Sequence, residues 1–344
     1  MPTLKADDIR TKVAEIFTAV GATEREAEVV AGLLVESNLL GHDSHGIIRV
    51  PQYVKGLEAG KIKAGAKTEV DKETAATAVV NGNWGFGHVT ATDAMEIAIQ
   101  KAREVSIGVV TVHNCNHVGR LGAYPPLASE QGFVGLMTNN GHGADKALAP
   151  WGGVGRILPA NCLAAAYPSD KEWPVAVDMT VAVGAGGKMR VASARGEKVG
   201  MGWVVDAQGR PSDDPKEYTS KGGALVPFGG DVGHKGSALA IAIDILSGAL
   251  SPAGCTQANP PATGNALFIQ VINIEAFQPL SEFKAEVGRF VDYVKETPTA
   301  EGFDEVLIPG ERSFRTKAER LANGIPVEDK TWDQVEAIMD RLVG

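Results

Sequence analysis

Cysteine is scarce in this chain: Cys115, Cys162 and Cys255 are the only three. An odd number at such wide spacing argues against a disulfide framework and against a C-x-x-C metal or redox motif. A basic surplus is also missing. The formal net charge is -9 and the Lys and Arg residues are scattered, with no polybasic run, so nucleic acid is not an expected partner. No apolar stretch is long enough to span a bilayer; the most apolar, Gly236 to Leu250, is short and contains Asp244. The N-terminal MPTLKADDIRTKVAEIF turns amphipathic at once and lacks the apolar centre of a signal peptide. The expectation is a cytoplasmic protein with no membrane partner.

What remains is a globular composition over 344 residues, enough for two packed domains. Asp7 to Val20 places Ile9, Val13, Ile16, Phe17 and Val20 on one helical face. Thr23 and Glu26 form a capping box that opens a second helix, ended by Gly41 near Leu40. From Ala76 the texture becomes alternating strands and helices. Strands are expected at Thr77–Asn81, Ile107–His113, Phe133–Thr138, Val175–Met179 and Ala266–Ile274. Helices are expected at His88–Val105, Gly122–Gln131, Ala182–Arg195, Lys235–Leu250 and Ser281–Thr297, with a capping box at Thr331 and Gln334 near the end. The reading is a mixed α/β protein. A sheet-centred domain over 76–305 is flanked by a helical layer made from 1–75 and 306–344.

Glycine is abundant, and two nucleotide motifs that it suggests both fail. GAGGK at Gly184–Lys188 would need a glycine where Ala182 stands, and Met189 replaces the hydroxyl residue of a P-loop. No G-x-G-x-x-G follows a strand, so a Rossmann site is not supported. His113 and His117 are four apart, but the intervening N-C-N favours a loop and no glutamate completes H-E-x-x-H. No bound metal is expected.

Two polar clusters hold up better: Ser44-His45-Gly46 with Arg49 and Tyr53, and Asn116-His117-Val118-Gly119. Each also has a plain structural reading. His45 could cap a helix C-terminus, Arg49 could sit at the surface, and His117 could be a satisfied histidine at a strand end. Together they are chemically complementary. Arg presents a planar fork to a carboxylate, and His passes protons near neutrality.

Five segments carry a resemblance: ESNLLGHDSHGIIRVPQYVKGLEAGKI, HNCNHVGRLGAYPPLASEQGFVGLMTNN, VAVDMT, PFGGDVGHKGSALAIAIDILSGALS and VLIPGER. In this order and spacing the chain resembles the type 2 malate/L-lactate dehydrogenase family from about residue 5 to 340. That family includes ureidoglycolate and sulfolactate dehydrogenases, 3-dehydro-gulonate reductase and piperideine-2-carboxylate reductase. The resemblance implies a non-Rossmann cofactor domain for NAD or NADP, a homodimer, and a small carboxylate substrate. It implies His117 as general acid/base, with His45 the rival position for proton transfer. Ser44, Arg49 and Tyr53 fall on the substrate side. Asn140 and Gly141, Asp178, Met179 and Thr180, His234 and Lys235, and Pro309, Gly310 and Glu311 fall on the cofactor side. The chain departs from the family at LPANC, Leu158–Cys162, and at Asp178-Met-Thr-Val-Ala, where relatives read G-x-N-P and D-M-A-T-S. His142, Asp145 and Lys146 add charge near the expected pocket, as selectivity residues or as a solvated loop. The expected chemistry is hydride transfer at C2 of a 2-oxo or 2-hydroxy acid. The alternatives are reduction of a cyclic imine such as piperideine-2-carboxylate and, more distantly, a histidine-based metal-dependent lyase or hydrolase.

Overall fold

A computed structural model describes residues 1–141, 146–260 and 262–344. Helix α1 (Ala6–Ala19) buries Ile9, Val13, Ile16 and Phe17, as the periodicity predicts. Helix α2 (Glu24–Leu39) begins at the expected capping box: Thr23 accepts from the Glu26 N–H, and the Glu26 carboxylate takes the Thr23 N–H at 2.9 Å. Helix α3 (Val50–Glu58) follows after two 3-10 turns. The first and last parts of the chain share one core. Thr3–Leu4 pairs with Ile325–Pro326, and Ile325, Val327 and Val335 pack with the buried faces of α1 and α2.

A seven-stranded mixed sheet forms the other body. Its spatial order is Glu69–Glu73, Thr77–Asn81, Ile107–Cys115, Asn265–Asn273, Phe133–Asn140, Cys162–Tyr167 and Val175–Thr180. Thr77–Asn81 runs parallel to Ile107–Cys115, joined by the crossover helix α4 (Gly87–Val105); every other pair is antiparallel. The sheet starts at Glu69, before residue 76, because the exposed strand Glu69–Glu73 has no apolar alternation to announce it. The helical layer meets the sheet body through α4: Phe86 packs edge-on against Phe17, ring centres 5.7 Å apart.

Other expectations shift. Pro125 and Pro126 offer no N–H, so the expected helix Gly122–Gln131 divides into a 3-10 turn, Leu121–Ala123, and a short helix, Pro125–Ser129. The helix from His234 ends at Asp244 and continues as a π-turn, Ile245–Ala249. The capping box at Thr331 does not form. Val327 is still extended, its N–H bonded to the Pro2 carbonyl, so the last helix opens at once as Asp329–Leu342. Thr331 is then buried inside its first turn. A second, five-stranded sheet was not expected; its strands of two or three residues, including Lys146–Leu148 and Ala224–Leu225, are too short to show a period.

Register brings one end of the large sheet together. Cys115 lies opposite Asn265, Ala266 opposite Asn140, Asn139 opposite Cys162, and Cys162 opposite Thr180. The chain after Cys115, after Asn140 and after Thr180 leaves the sheet at this end.

Glu26 does more than cap. Buried itself, it also accepts the Gly65 N–H at 2.9 and 3.0 Å, fastening the chain that leads into the sheet. Thr23→Ala should cost about 1 kcal/mol as a lost cap. Glu26→Ala should cost more, about 1.5–3 kcal/mol, because it removes charged hydrogen bonds to the Thr23 and Gly65 N–H groups together. Urea midpoints measure both, and equal shifts would show that the Gly65 bond contributes nothing.

Candidate active site

Helix α2 ends at Gly41, whose φ of +78° suits glycine, and the chain enters the turns Asp43–His45 and Ile47–Arg49. Asn38 anchors these turns. Its Oδ1 accepts the Ile47 N–H at 2.9 Å and its Nδ2 donates to Asp43 at 2.7 Å. A Cβ on Gly46 would run into the Asn38 amide, so only glycine fits there. The Ser44 hydroxyl lies 3.0 Å from His45 Nδ1. Arg49 donates from Nε to the Ser44 carbonyl at 2.8 Å and from Nη1 to Gln52 at 2.9 Å, which aims the guanidinium.

The second cluster follows the strand Ile107–Cys115. Asn116 Nδ2 donates to the carbonyls of Trp84 and Gly85 at 2.8 and 2.9 Å, and the Val118 N–H donates to Asn265 Oδ1 at 3.1 Å. His117 is thus held on both sides. Its Nδ1 lies 2.7 Å from the Tyr53 hydroxyl, and the Gly119 N–H reaches the same atom at 3.4 Å. The His117 and His45 rings lie nearly parallel, 20° apart in plane and 6.1 Å between centres. Both clusters therefore meet at one point. Tyr53 is buried, and His88 backs it edge-on at 5.1 Å, beneath Gly119.

Burial is the first reason these histidines resist protonation. It pushes His45 down to about 4, helped by the charge of Arg49, then His42 and Arg120. It pushes His88 down to about 3, with His45 adding to the effect. His117 falls well below the ordinary histidine value through burial, then Arg49, His88 and His45. Burial raises the Tyr53 hydroxyl, so it stays a neutral hydrogen-bonding group.

The segments assigned to the cofactor side gather along the sheet edge. Asp178, Met179 and Thr180 end the edge strand Val175–Thr180. The Ala176 N–H donates to the Pro309 carbonyl at 3.1 Å, and Gly310, at φ +93°, packs against Ala176. The Phe228 N–H donates to the Val181 carbonyl, which leads the chain to exposed His234 and Lys235 at a helix start without a side-chain cap. Glu311 is buried with Lys295 at 2.7 and 2.8 Å, the Ile308 N–H at 3.1 Å and Arg315. Burial opposes its ionisation, yet these donors hold its pKa below the ordinary glutamate value. Its carboxylate fastens the Pro309–Gly310 loop. Asn140 is fully buried too, its amide donating to Asp244 at 3.3 Å and to the Gly254 carbonyl at 3.4 Å. The side chains of Glu311 and Asn140 are therefore engaged within the fold. Gly141 follows Asn140 at the strand end and is partly exposed. His142 and Asp145 lie outside the described residues, and Lys146 begins a short strand with its Nζ 3.4 Å from the Ala258 carbonyl.

Sequence reasoning missed His42, His88 and Arg120. His42 Nε2 lies 3.2 Å from the Ser313 hydroxyl, and Arg120 Nη1 lies 3.3 Å from Asp178. Arg120 stands three residues after His117 in the same loop, and that proximity was the available signal. The donor set along the edge suits a phosphate-bearing dinucleotide: an exposed lysine, an uncapped helix start and a glycine loop closely packed on the strand.

The malate/L-lactate dehydrogenase family profile matches residues 4–336. The chain belongs to this family. It is 36% identical to a malate/(S)-sulfolactate dehydrogenase from Methanothermus fervidus, over 98% of each chain. A crystal structure of malate dehydrogenase from Entamoeba histolytica superposes with a TM-score of 0.92 at 29% identity, covering 100% of this chain and 98% of that one. Delta1-piperideine-2-carboxylate reductase from Pseudomonas syringae pv. tomato superposes at 0.84 with 25% identity, covering 98% and 100%. The protein is a nicotinamide-dependent oxidoreductase of 2-oxo and 2-hydroxy acids, as membership implies.

The histidine environments carry a stability signature. The folded values of His45 and His88, about 4 and 3, lie below the unfolded value near ~6.5. The unfolded chain therefore binds more protons between these limits, and stability is full above pH ~6.5 and falls as pH drops below it. The melting temperature should fall between pH 6.5 and 5, where carboxylates have barely begun to titrate. His88→Leu should flatten that slope, and a wild-type melting temperature that stays level across the window would refute the assignment.

Proposed function

We propose that the dehydrogenase interconverts a small 2-oxo acid and its 2-hydroxy acid with His117 as the proton-transferring residue and Arg49 as the carboxylate clamp. The observation that carries this reading is the 2.7 Å contact between the Tyr53 hydroxyl and His117 Nδ1, with Arg49 fixed in the facing loop. That contact leaves Nε2 for the substrate oxygen. For transfer at Nε2 the ring keeps its hydrogen on Nδ1 in both the charged and the neutral state, and the Tyr53 hydroxyl accepts it, so the ring plane holds as the Nε2 proton moves. Arg49 keeps its planar fork for a carboxylate, and Ser44 beside it supplies a hydroxyl. A bound carboxylate offsets the field of Arg49, which raises the proton affinity of His117 when substrate arrives. His45, stacked on His117, polarises the carbonyl.

NAD or NADP, held by Asp178, Met179, Thr180, His234, Lys235 and the Pro309–Gly310 loop, supplies or takes the hydride. The Methanothermus relative's name supports malate- or sulfolactate-type substrates. The piperideine-2-carboxylate reductase neighbour supports a second reading, cyclic imine reduction, which uses the same clamp. A panel of 2-oxo acids and cyclic imines with each dinucleotide separates them. Exposed Ile241, Ile245, Leu246 and Leu250 along one helix support a homodimer. Three free thiols fit a reducing compartment, which supports a cytoplasmic location.

His117→Ala should lower kcat by about 10²–10⁴-fold, the usual range for general acid–base catalysis. Dinucleotide affinity should hold, measured by fluorescence titration. A variant that keeps its rate while His45→Ala is dead would move the proton transfer to His45.

Arg49→Lys keeps the charge and loses the fork, so substrate KM should rise far more than the dinucleotide Kd. An unchanged KM would remove Arg49 from the carboxylate site.

A further inference from the structure

Arg120 is a guanidinium with little to do in the fold. Its side chain is nine-tenths buried, yet its one hydrogen-bond partner among the described residues is Asp178, through Nη1 at 3.3 Å. Nε is buried with no partner among the described residues. A buried charged donor left unpaired is costly, and the single contact wastes the paired geometry for which arginine is suited. The surroundings keep this arrangement open. Gly122 passes so close that a Cβ there would strike both Asp178 and Arg120 Nη1. A larger residue would push the pair apart.

The loop that carries His117 carries Arg120 three residues later, so the two side chains belong to one rigid segment, pinned by the Val118–Asn265 bond. Arg120 also acts on the site. Its charge helps to keep both His42 and His45 unprotonated. The substrate side is therefore bordered by two guanidiniums from different elements. Arg49 comes from the 43–49 turns, and Arg120 comes from the His117 loop.

We propose that Arg120 receives a second anionic group on the substrate, which makes the preferred substrate a 2-oxo or 2-hydroxy acid with a carboxylate or sulfonate at its far end. This deepens the hydroxy-acid reading and rests on it. Arg49 takes the carboxylate next to C2, and the unused face of Arg120 takes the distal acid. Asp178 steadies the guanidinium when no substrate is bound and limits the cost of burying its charge. A substrate without the distal acid leaves Arg120 as it stands, so it binds without that gain.

The test compares oxaloacetate, which carries a distal carboxylate, with pyruvate, which does not, at low ionic strength. Wild-type kcat/KM should favour oxaloacetate by tenfold or more. Arg120→Gln should lower kcat/KM for oxaloacetate by about 30-fold or more, in the range for a charge pair losing one partner, and for pyruvate by less than about threefold. Arg120→Lys, which keeps the charge at the site, should fall between and guards against a glutamine variant that folds poorly. The dinucleotide Kd, read by fluorescence titration, should stay within twofold in both variants. Equal losses on the two acids would overturn the proposal and make Arg120 a structural residue. A weakened dinucleotide Kd with the acid preference intact would overturn it in favour of a cofactor phosphate. No turnover of either acid by the wild-type chain would overturn the proposal together with the hydroxy-acid reading beneath it.

Discussion

The strand Asn265–Asn273 lies between Ile107–Cys115 and Phe133–Asn140, and the site depends on the residue that begins it. Asn265 accepts the Val118 N–H with one side-chain atom and donates to the Asn140 carbonyl with the other, at 3.1 and 3.2 Å. One buried amide therefore ties the loop that carries His117 to the end of the strand Phe133–Asn140. Gly264 before it has no room for a Cβ, which would meet the Cys115 carbonyl. The pairing is antiparallel on both sides and joins segments more than a hundred residues apart, so the site exists only once the sheet is complete.

Around that anchor the electrostatics follow from burial. Four histidines, His42, His45, His88 and His117, are all shifted down, first by loss of water and then by neighbouring positive charge, from arginine for His42, His45 and His117 and from His45 for His88. The site is thus rich in neutral imidazole and fixed guanidinium, a poor place for a further cation and a good one for an anion. The charge of Arg49 helps to keep both His45 and His117 neutral, and an anion beside it would offset that field and raise their proton affinity.

Much of this was legible beforehand. The capping box at Thr23, the faces of α1 and α2, and most central strands follow from local chemistry acting within a few residues. The placing of His45 and Arg49 in successive turns is local too. The edge strand Glu69–Glu73, the two-residue strands of the small sheet and the start of the last helix were not legible. Their positions are set by partners distant in sequence rather than by their own pattern. His88 escaped notice because its role comes from packing under Tyr53, not from any motif.

By itself the sequence determined the chemical inventory: guanidinium and imidazole groups in two clusters and no Rossmann signature, in an order that resembles one family. Side-chain type and spacing are enough for that, because they state which functional groups are available. Only the tertiary structure decided which groups share a site and which atom of each is free. It set the Tyr53 hydroxyl against His117 Nδ1, turned Asn140 and Glu311 into the protein, and buried Arg120 Nε with no partner among the described residues. Those outcomes depend on desolvation and on hydrogen bonds between distant residues, and both arise only when the sheet and the helical layer close together.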